Sequence, residues 1–268
     1  MKLLFIFLFI FLSPLFSYSG NLGNGLPNLE LLFHFDEGKG TTAYDTSPNK
    51  SSATLEGAGN VWESAGGTSS GYRMNFDGVT GKLAISSGIA FGASGLNSPT
   101  YTFCARVKLE TFDVSHKILF LQFDDTAGLR RYFTLFNDGA TQLRQVVHAS
   151  EPSACTGAVE YRSVNNVISL NTITDVCFTF DGNRVRAYGR EPFSQTENRR
   201  EWTVVISAAQ TGYCNTNNGQ AFLGWYTSSN MLWDGWMDEC AFFSVALSTA
   251  QIKSQWGDRL SSKRGFSQ

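Results

Sequence analysis

The chain has 268 residues, a formal net charge of −2 and 14% aromatic residues, 22 of them phenylalanine. That length suits one large all-β domain as well as two small ones, the aromatic content is enough to fill a thick core, and a near-neutral charge with pI near 5.9 supplies no electrostatic footprint for nucleic acid. Leu3 to Leu12 forms an apolar run after Lys2, followed by Ser13-Pro14 and small residues at Ser17-Tyr18-Ser19-Gly20. This pattern predicts a secretory signal peptide over residues 1–19, because the run is too short for a bilayer span of about 20 residues. No later run is long and apolar enough to span, so the expected product is secreted and extracellular. Residues 20–260 are expected to form one domain, with 261–268 a tail in which Lys263-Arg264 offers a dibasic cleavage sequence.

The first expected strand is Glu30 to Asp36, closed by Glu37-Gly38-Lys39-Gly40. Residues 41–71 read as loop-rich and contain the sequon Asn49-Lys50-Ser51, an expected glycosylation site at Asn49. Tyr72 to Phe76 and Lys82 to Ile85 read as strands, with Asp77-Gly78 between them as a hairpin-like turn. From Tyr101 to Leu109, apolar Tyr101, Phe103, Ala105, Val107 and Leu109 alternate with Thr102, Cys104, Arg106 and Lys108. This period of two marks a strand with one strongly apolar face. Thr174 to Phe180 repeats the pattern, with Cys177 on the same kind of face as Cys104. If the two strands are neighbours, opposed side chains bring their Cβ atoms to about 4.5–5.5 Å, near what a disulfide tolerates. A Cys104–Cys177 bond is therefore expected.

Further strands are expected at His116–Phe123, Tyr132–Phe136, Gln142–Val147, Val167–Leu170, Arg184–Tyr188, Trp202–Ser207, Ala221–Leu223 and Met237–Phe243. Ser248 followed three residues later by Gln251 makes a capping box for a short helix reaching about Trp256. Many short strands and one terminal helix predict an all-β fold: a two-sheet antiparallel β-sandwich or jelly roll with a short C-terminal helix. Cys155 and Cys214 both lie in polar, turn-rich sequence and are the next expected pair. Cys240, in an apolar strand, is expected to be a buried free thiol, with an intermolecular bond the alternative.

Phe33-His34-Phe35-Asp36-Glu37-Gly38 through Asp45, Asn75-Phe76-Asp77-Gly78, the strand Tyr101 to Lys108, Phe178-Thr179-Phe180-Asp181-Gly182 and Gly235-Trp236-Met237-Asp238-Glu239 resemble, in this order, the concanavalin A-like jelly roll of the laminin-G-like and pentraxin group. Cys104 and Cys177 also look like the paired cysteines of pentraxins. The loop Leu223-Gly224-Trp225-Tyr226-Thr227-Ser228-Ser229-Asn230 lacks the acids of a pentraxin double calcium site. The resemblance still implies a place for one structural calcium near Asp36, Asp45 and Asp238. The weightier reading is that these acids cap turns and accept from backbone amides.

The adjacent acids Asp36-Glu37 and Asp238-Glu239 would point to opposite faces of an ideal strand, which is wrong for a glycosidase pair acting on one bond. Turn and rim roles are expected for them, and strand-surface positions for His34, His116 and His148. No nucleophile elbow, phosphate loop or dinucleotide fingerprint is present. Trp225, Tyr226, Trp233 and Trp236 surround Thr227-Ser228-Ser229-Asn230, and flat rings beside hydrogen-bonding groups suit sugar faces. Trp225, Tyr226 and Trp233 are the expected ligand-binding rim, although any one of them has even odds of closing the core instead. Arg184 and Arg186 share a strand face and form a second candidate surface, for acidic glycans, against the plainer reading of a solvated face. The sequence thus predicts a non-catalytic module that binds glycan or an extracellular-matrix protein. The alternatives are a structural matrix component and a glycoside hydrolase with an unfamiliar carboxylate pair.

Overall fold

The computed structural model describes residues 28–64, 71–86, 100–111, 117–124, 129–137, 143–151, 160–162, 170–181, 184–190, 203–209, 220–225 and 232–257. Within them lie sixteen strands: β1 (Leu29–Phe33), β2 (Thr42–Ala43), β3 (Ala53–Glu56), β4 (Asn60–Ser64), β5 (Tyr72–Asp77), β6 (Lys82–Ile85), β7 (Tyr101–Leu109), β8 (Lys117–Asp124), β9 (Leu129–Asn137), β10 (Leu143–Glu151), β11 (Glu160–Arg162), β12 (Thr174–Phe180), β13 (Arg184–Arg190), β14 (Thr203–Ala209), β15 (Gln220–Leu223) and β16 (Asp234–Phe243). They make two antiparallel sheets, the two-layer sandwich expected from the strand pattern. The first sheet runs β14-β13-β12-β7-β16-β5-β4, with β1 also on β16, and the second runs β11-β10-β9-β8-β15-β6-β3-β2.

The alternation read from the sequence sets which side chains fill the space between the sheets. Phe103, Ala105, Val107 and Leu109 of β7, Val176 and Phe178 of β12, Met74 and Phe76 of β5, and Leu83 and Ile85 of β6 all belong to one buried cluster. Full burial of such side chains is worth about 1.5–3 kcal/mol each. Around β7 and β12 the opposite face of the first sheet is buried as well. Cys104 and Cys177 stand directly opposite each other and form the expected disulfide, spanning 73 residues. Leu29, Leu32, Tyr188, Ala241, Phe243, Leu247, Ile252 and Trp256 pack around it as a second cluster. The C-terminal segment is held there by Thr102, whose Oγ1 donates to the Val245 carbonyl (2.8 Å) and accepts from the Leu247 N–H (2.8 Å). Ser248 caps the short α-helix α1 (Thr249–Gln251) with the expected capping box, and the chain continues as a π-helical turn, Ile252–Gly257. The less apolar face of the β7/β12 pair is thus covered.

Three expectations about elements change. Asp77-Gly78 does not make a hairpin: β5 pairs with β4 and β16 in the first sheet, whereas β6 pairs with β3 and β15 in the second. Asp77 Oδ1 accepts from the N–H groups of Val79, Thr80 and Gly81 at 2.8–3.0 Å, so the carboxylate organises a turn that carries the chain between layers. The stretch 41–71, read as loop, contains β2, β3 and β4. The first strand ends at Phe33 rather than Asp36, because Phe35 has φ of +57° and cannot continue an extended ladder. Of the expected strand Val167–Leu170 only Leu170 is described, and it lies in a turn.

Candidate functional site

β15 and β6 run side by side in the second sheet, with Phe222 opposite Ala84 and Leu223 opposite Leu83. Leu223 and Leu83 face the core, so Phe222, Ala84 and Lys82 share the outer face. Just past β15, Gly224 has φ of +75°, and a Cβ there would meet the Phe76 ring at 2.6 Å. This residue turns the chain out of the strand and leaves Trp225 half-buried at the sheet's end. The Trp225 ring meets the Phe222 ring at 4.7 Å between centroids, tilted by 56°. Lys82 Nζ lies 4.3 Å from the Trp225 ring centroid and 5.2 Å from that of Phe222, and forms an ion pair with Glu56 at 2.9 Å. Two turns buttress this corner: Gly59 N–H donates to Thr80 Oγ1 (3.1 Å), and Asn60 Nδ2 donates to the Lys82 carbonyl (2.6 Å). The result is an indole fixed by a neighbouring ring and an ammonium, with an exposed carboxylate alongside. Sugar rings are recognised by this combination of an apolar plate and polar groups of both signs.

The rest of the expected rim divides. Trp233 N–H donates to the Gly224 carbonyl (3.0 Å), which ties the backbone at Gly224 to the backbone at Trp233. Its side chain is 0% exposed and belongs to the central core, so Trp233 is corrected from a rim residue to a core residue. Tyr226 lies outside the described residues. Sequence reading missed Lys82, Phe222 and Glu56; the outward parity of Lys82 in Lys-Leu-Ala-Ile was the available signal for one of them. The basic surface is weakly built: Arg186 Nη1 is tied to Asp181 Oδ2 at 2.6 Å, while Arg184 is exposed.

The outer face of the first sheet carries a second polar assembly. Arg106 stands between Asp175 on β12 and Asp238 on β16. Its guanidinium grips Asp175 in a two-pronged contact, Nε to Oδ1 at 2.8 Å and Nη2 to Oδ2 at 3.2 Å. The two side chains are 4% and 0% exposed. Burial opposes the Arg106 charge, but Asp175, Asp238 and Glu239 outweigh it and hold the guanidinium even more firmly protonated than usual. At Glu239 the strand bulges: φ is +52°, and the register with β7 shifts between Asp238 and Ala241. Both acids are buried by this irregularity, and Glu239 Oε2 lies 2.7 Å from His34 Nδ1. The opposite-face geometry of an ideal strand and the expected rim role therefore do not apply to Asp238-Glu239. His34 likewise sits against an acid rather than on a free strand surface.

The acids proposed for calcium are not gathered. Asp45 accepts from the N–H groups of Leu32, Ser47 and Ser51 and from Ser47 Oγ, all at 2.7–2.9 Å. Asp238 faces Arg106, and Asp36 is exposed. Among the described residues no three His, Cys, Asp or Glu side chains group so as to hold a metal ion. The donor set does not fit a calcium site. Asn49 is exposed, with Nδ2 donating to Glu30 Oε2 (2.5 Å) and to the Glu30 carbonyl (3.1 Å). Cys240 is a buried free thiol, and burial first, then Asp238 and Glu239, push its pKa well up. Cys155 and Cys214 lie outside the described residues.

No protein-family model matches the chain, and no curated protein sequence matches it. Solved structures do share the fold. Domain 4 of AbnA, a GH43 extracellular arabinanase from Geobacillus stearothermophilus solved in complex with arabinotriose, aligns over 85% of this chain and 98% of its own, with TM-score 0.59 and 17% identity. The botulinum neurotoxin serotype G binding domain aligns over 85% of this chain and 51% of its own (TM-score 0.54, 11% identity). Trypanosoma rangeli sialidase aligns over 88% and 33% (TM-score 0.53, 11% identity). At such identities the likeness establishes the two-sheet β-sandwich of jelly-roll type.

Proposed function

We propose that this chain is a secreted, non-catalytic glycan-binding module whose contact surface is the Trp225 corner. The observation that carries the reading is the half-exposed indole held by Phe222 and Lys82 beside Glu56, at a sheet end built by a tight glycine turn. Secretion is supported by the leader-like N-terminal sequence and by the disulfide, a bond that persists in oxidising compartments. Among the described residues no helix is long and apolar enough to cross a membrane. Similarity of fold to an arabinanase domain solved with arabinotriose agrees with this reading.

The non-catalytic part rests on the engagement of the acid pairs. Asp238 and Glu239 are buried against Arg106 and His34, and Glu37 Oε1 accepts from the Tyr44 N–H at 2.7 Å. These three carboxylates serve the fold, which favours the binding reading over a hydrolase that would use Asp238-Glu239. Burial of Cys240 likewise argues against covalent assembly into a matrix through that thiol. An array of neutral glycans, probed with and without calcium, tests the proposal. Wild-type protein is expected to bind a defined subset independently of calcium, and Trp225→Ala to lose that binding by at least about tenfold, the effect of removing a stacking ring at a hot spot. Undiminished binding by a folded Trp225→Ala variant would reject this corner.

A further inference from the structure

On the outer face of the first sheet, Glu63 of β4, Arg73 and Asn75 of β5, Trp236 of β16 and Lys108 of β7 occupy adjacent strands. The registers pair Glu63 with Arg73, and set Trp236 between Asn75 and Lys108. Arg73 lays its guanidinium over the Trp236 ring, 4.4 Å from the centroid. It also grips Glu63, with Nε to Oε2 at 3.0 Å and Nη2 to Oε1 at 2.9 Å. Asn75 Nδ2 donates to the same Oε2 at 3.2 Å. A stacked guanidinium and an amide thus converge on one carboxylate. That carboxylate belongs to a 40% exposed side chain on the strand at the end of the sheet, so its hold is exchangeable. Beneath it, Trp236 is 2% exposed. Lys108 is paired with Trp236 from the other side, and its Nζ lies 2.8 Å from Glu110 Oε1.

We propose that Arg73, Asn75 and Trp236 form a second binding site, for the carboxylate of an acidic sugar, and that Glu63 occupies this site as an internal stand-in. A uronate carboxylate takes the position of the Glu63 carboxylate on the Arg73 fork, and Glu63 swings into water. Planar two-pronged recognition by a guanidinium selects a carboxylate over a hydroxyl. Trp236 stays beneath the guanidinium as the flat plate that fixes the fork. The inference extends the glycan-binding reading but uses residues on the opposite sheet from Trp225, so the two can fail separately.

The test is titration calorimetry of the full chain with an oligogalacturonate and with its methyl-esterified, neutral counterpart at low salt. Wild-type protein is expected to bind the acid form and not the ester. Glu63→Ala is expected to raise affinity about two- to fivefold, the equivalent of removing an exposed ion pair. Arg73→Ala should lower it at least about tenfold, and Arg73→Lys should give an intermediate loss because charge is kept while the fork is lost. Trp225→Ala is expected to leave uronate binding unchanged. Thermal unfolding of each variant separates a lost site from a lost fold. Equal binding of acid and ester, no gain on Glu63→Ala, or unchanged binding by both Arg73 variants would overturn the proposal. Loss of uronate binding in Trp225→Ala would instead assign it to the rim.

Discussion

The outer face of the first sheet and the Trp225 corner of the second use similar residues in opposite ways. Near the middle of the first sheet, charged side chains are buried and matched to each other: Asp175, Arg106 and Asp238 alternate in sign across three adjacent strands. At the corner, Lys82 and Glu56 are paired as well, but Glu56 remains substantially exposed and the indole beside them is half-open. Polar groups that are dehydrated and fully engaged hold the fold, whereas polar groups fixed at the water boundary are available to a ligand. The corner and the more exposed Arg73 end of the first sheet thus keep polar groups within reach of a ligand, whereas the buried middle does not.

Substitutions at the two places should separate stability from binding. The largest loss of stability is expected from Asp175→Ala, which leaves Arg106 buried without its two-pronged partner and should cost about 3–5 kcal/mol in denaturant unfolding. Glycan binding by the folded fraction should persist. Replacing both Cys104 and Cys177 with alanine removes a constraint spanning 73 residues and should cost about 4 kcal/mol in the chain-entropy account. A loss under 1 kcal/mol would show that the C-terminal segment seals this face without help from the bond. Trp225→Ala, by contrast, should change stability by no more than about 1 kcal/mol while removing binding, as befits a partly exposed ring.

The smallest effect concerns acid. Hydrogen bonding to Arg73 is the main influence on Glu63, and despite the opposing effect of burial its pKa is held below the usual value near 4.5. A depressed folded-state pKa means that the Arg73–Glu63 contribution is present above the ordinary Glu range and fades as pH falls through the folded-state value. Melting temperatures of wild type and Glu63→Gln should therefore differ slightly at pH 6 and converge as the solution is acidified toward pH 3. A gap that widens in acid would contradict the sign.

Much of the first sheet was legible from the sequence because strand parity is strict. Cys104 and Cys177 share a facing in two alternating strands, and register completes the bond. Parity could not assign strands to sheets, so β5, Asp77-Gly78 and β6 read as a hairpin although the turn crosses between layers. Nor could it foresee the bulge, because a glutamate at positive φ has no local sequence signature. This bulge brings Asp238 and Glu239 into the same buried network. Trp225 and Trp233 were indistinguishable as letters in one aromatic stretch. Their fates were decided by Gly224, whose left-handed turn puts one ring outside the strand end and whose carbonyl receives the backbone of the other.

This divergence also supplies the most direct measurement. In an 15N-resolved spectrum of the tryptophan side-chain N–H groups, titration with the tightest glycan from the array should shift and broaden the Trp225 signal. The Trp233 signal, from a ring sealed in the core, should stay in place. A spectrum in which Trp225 is unmoved at saturating ligand would contradict the assignment of the corner as the binding surface.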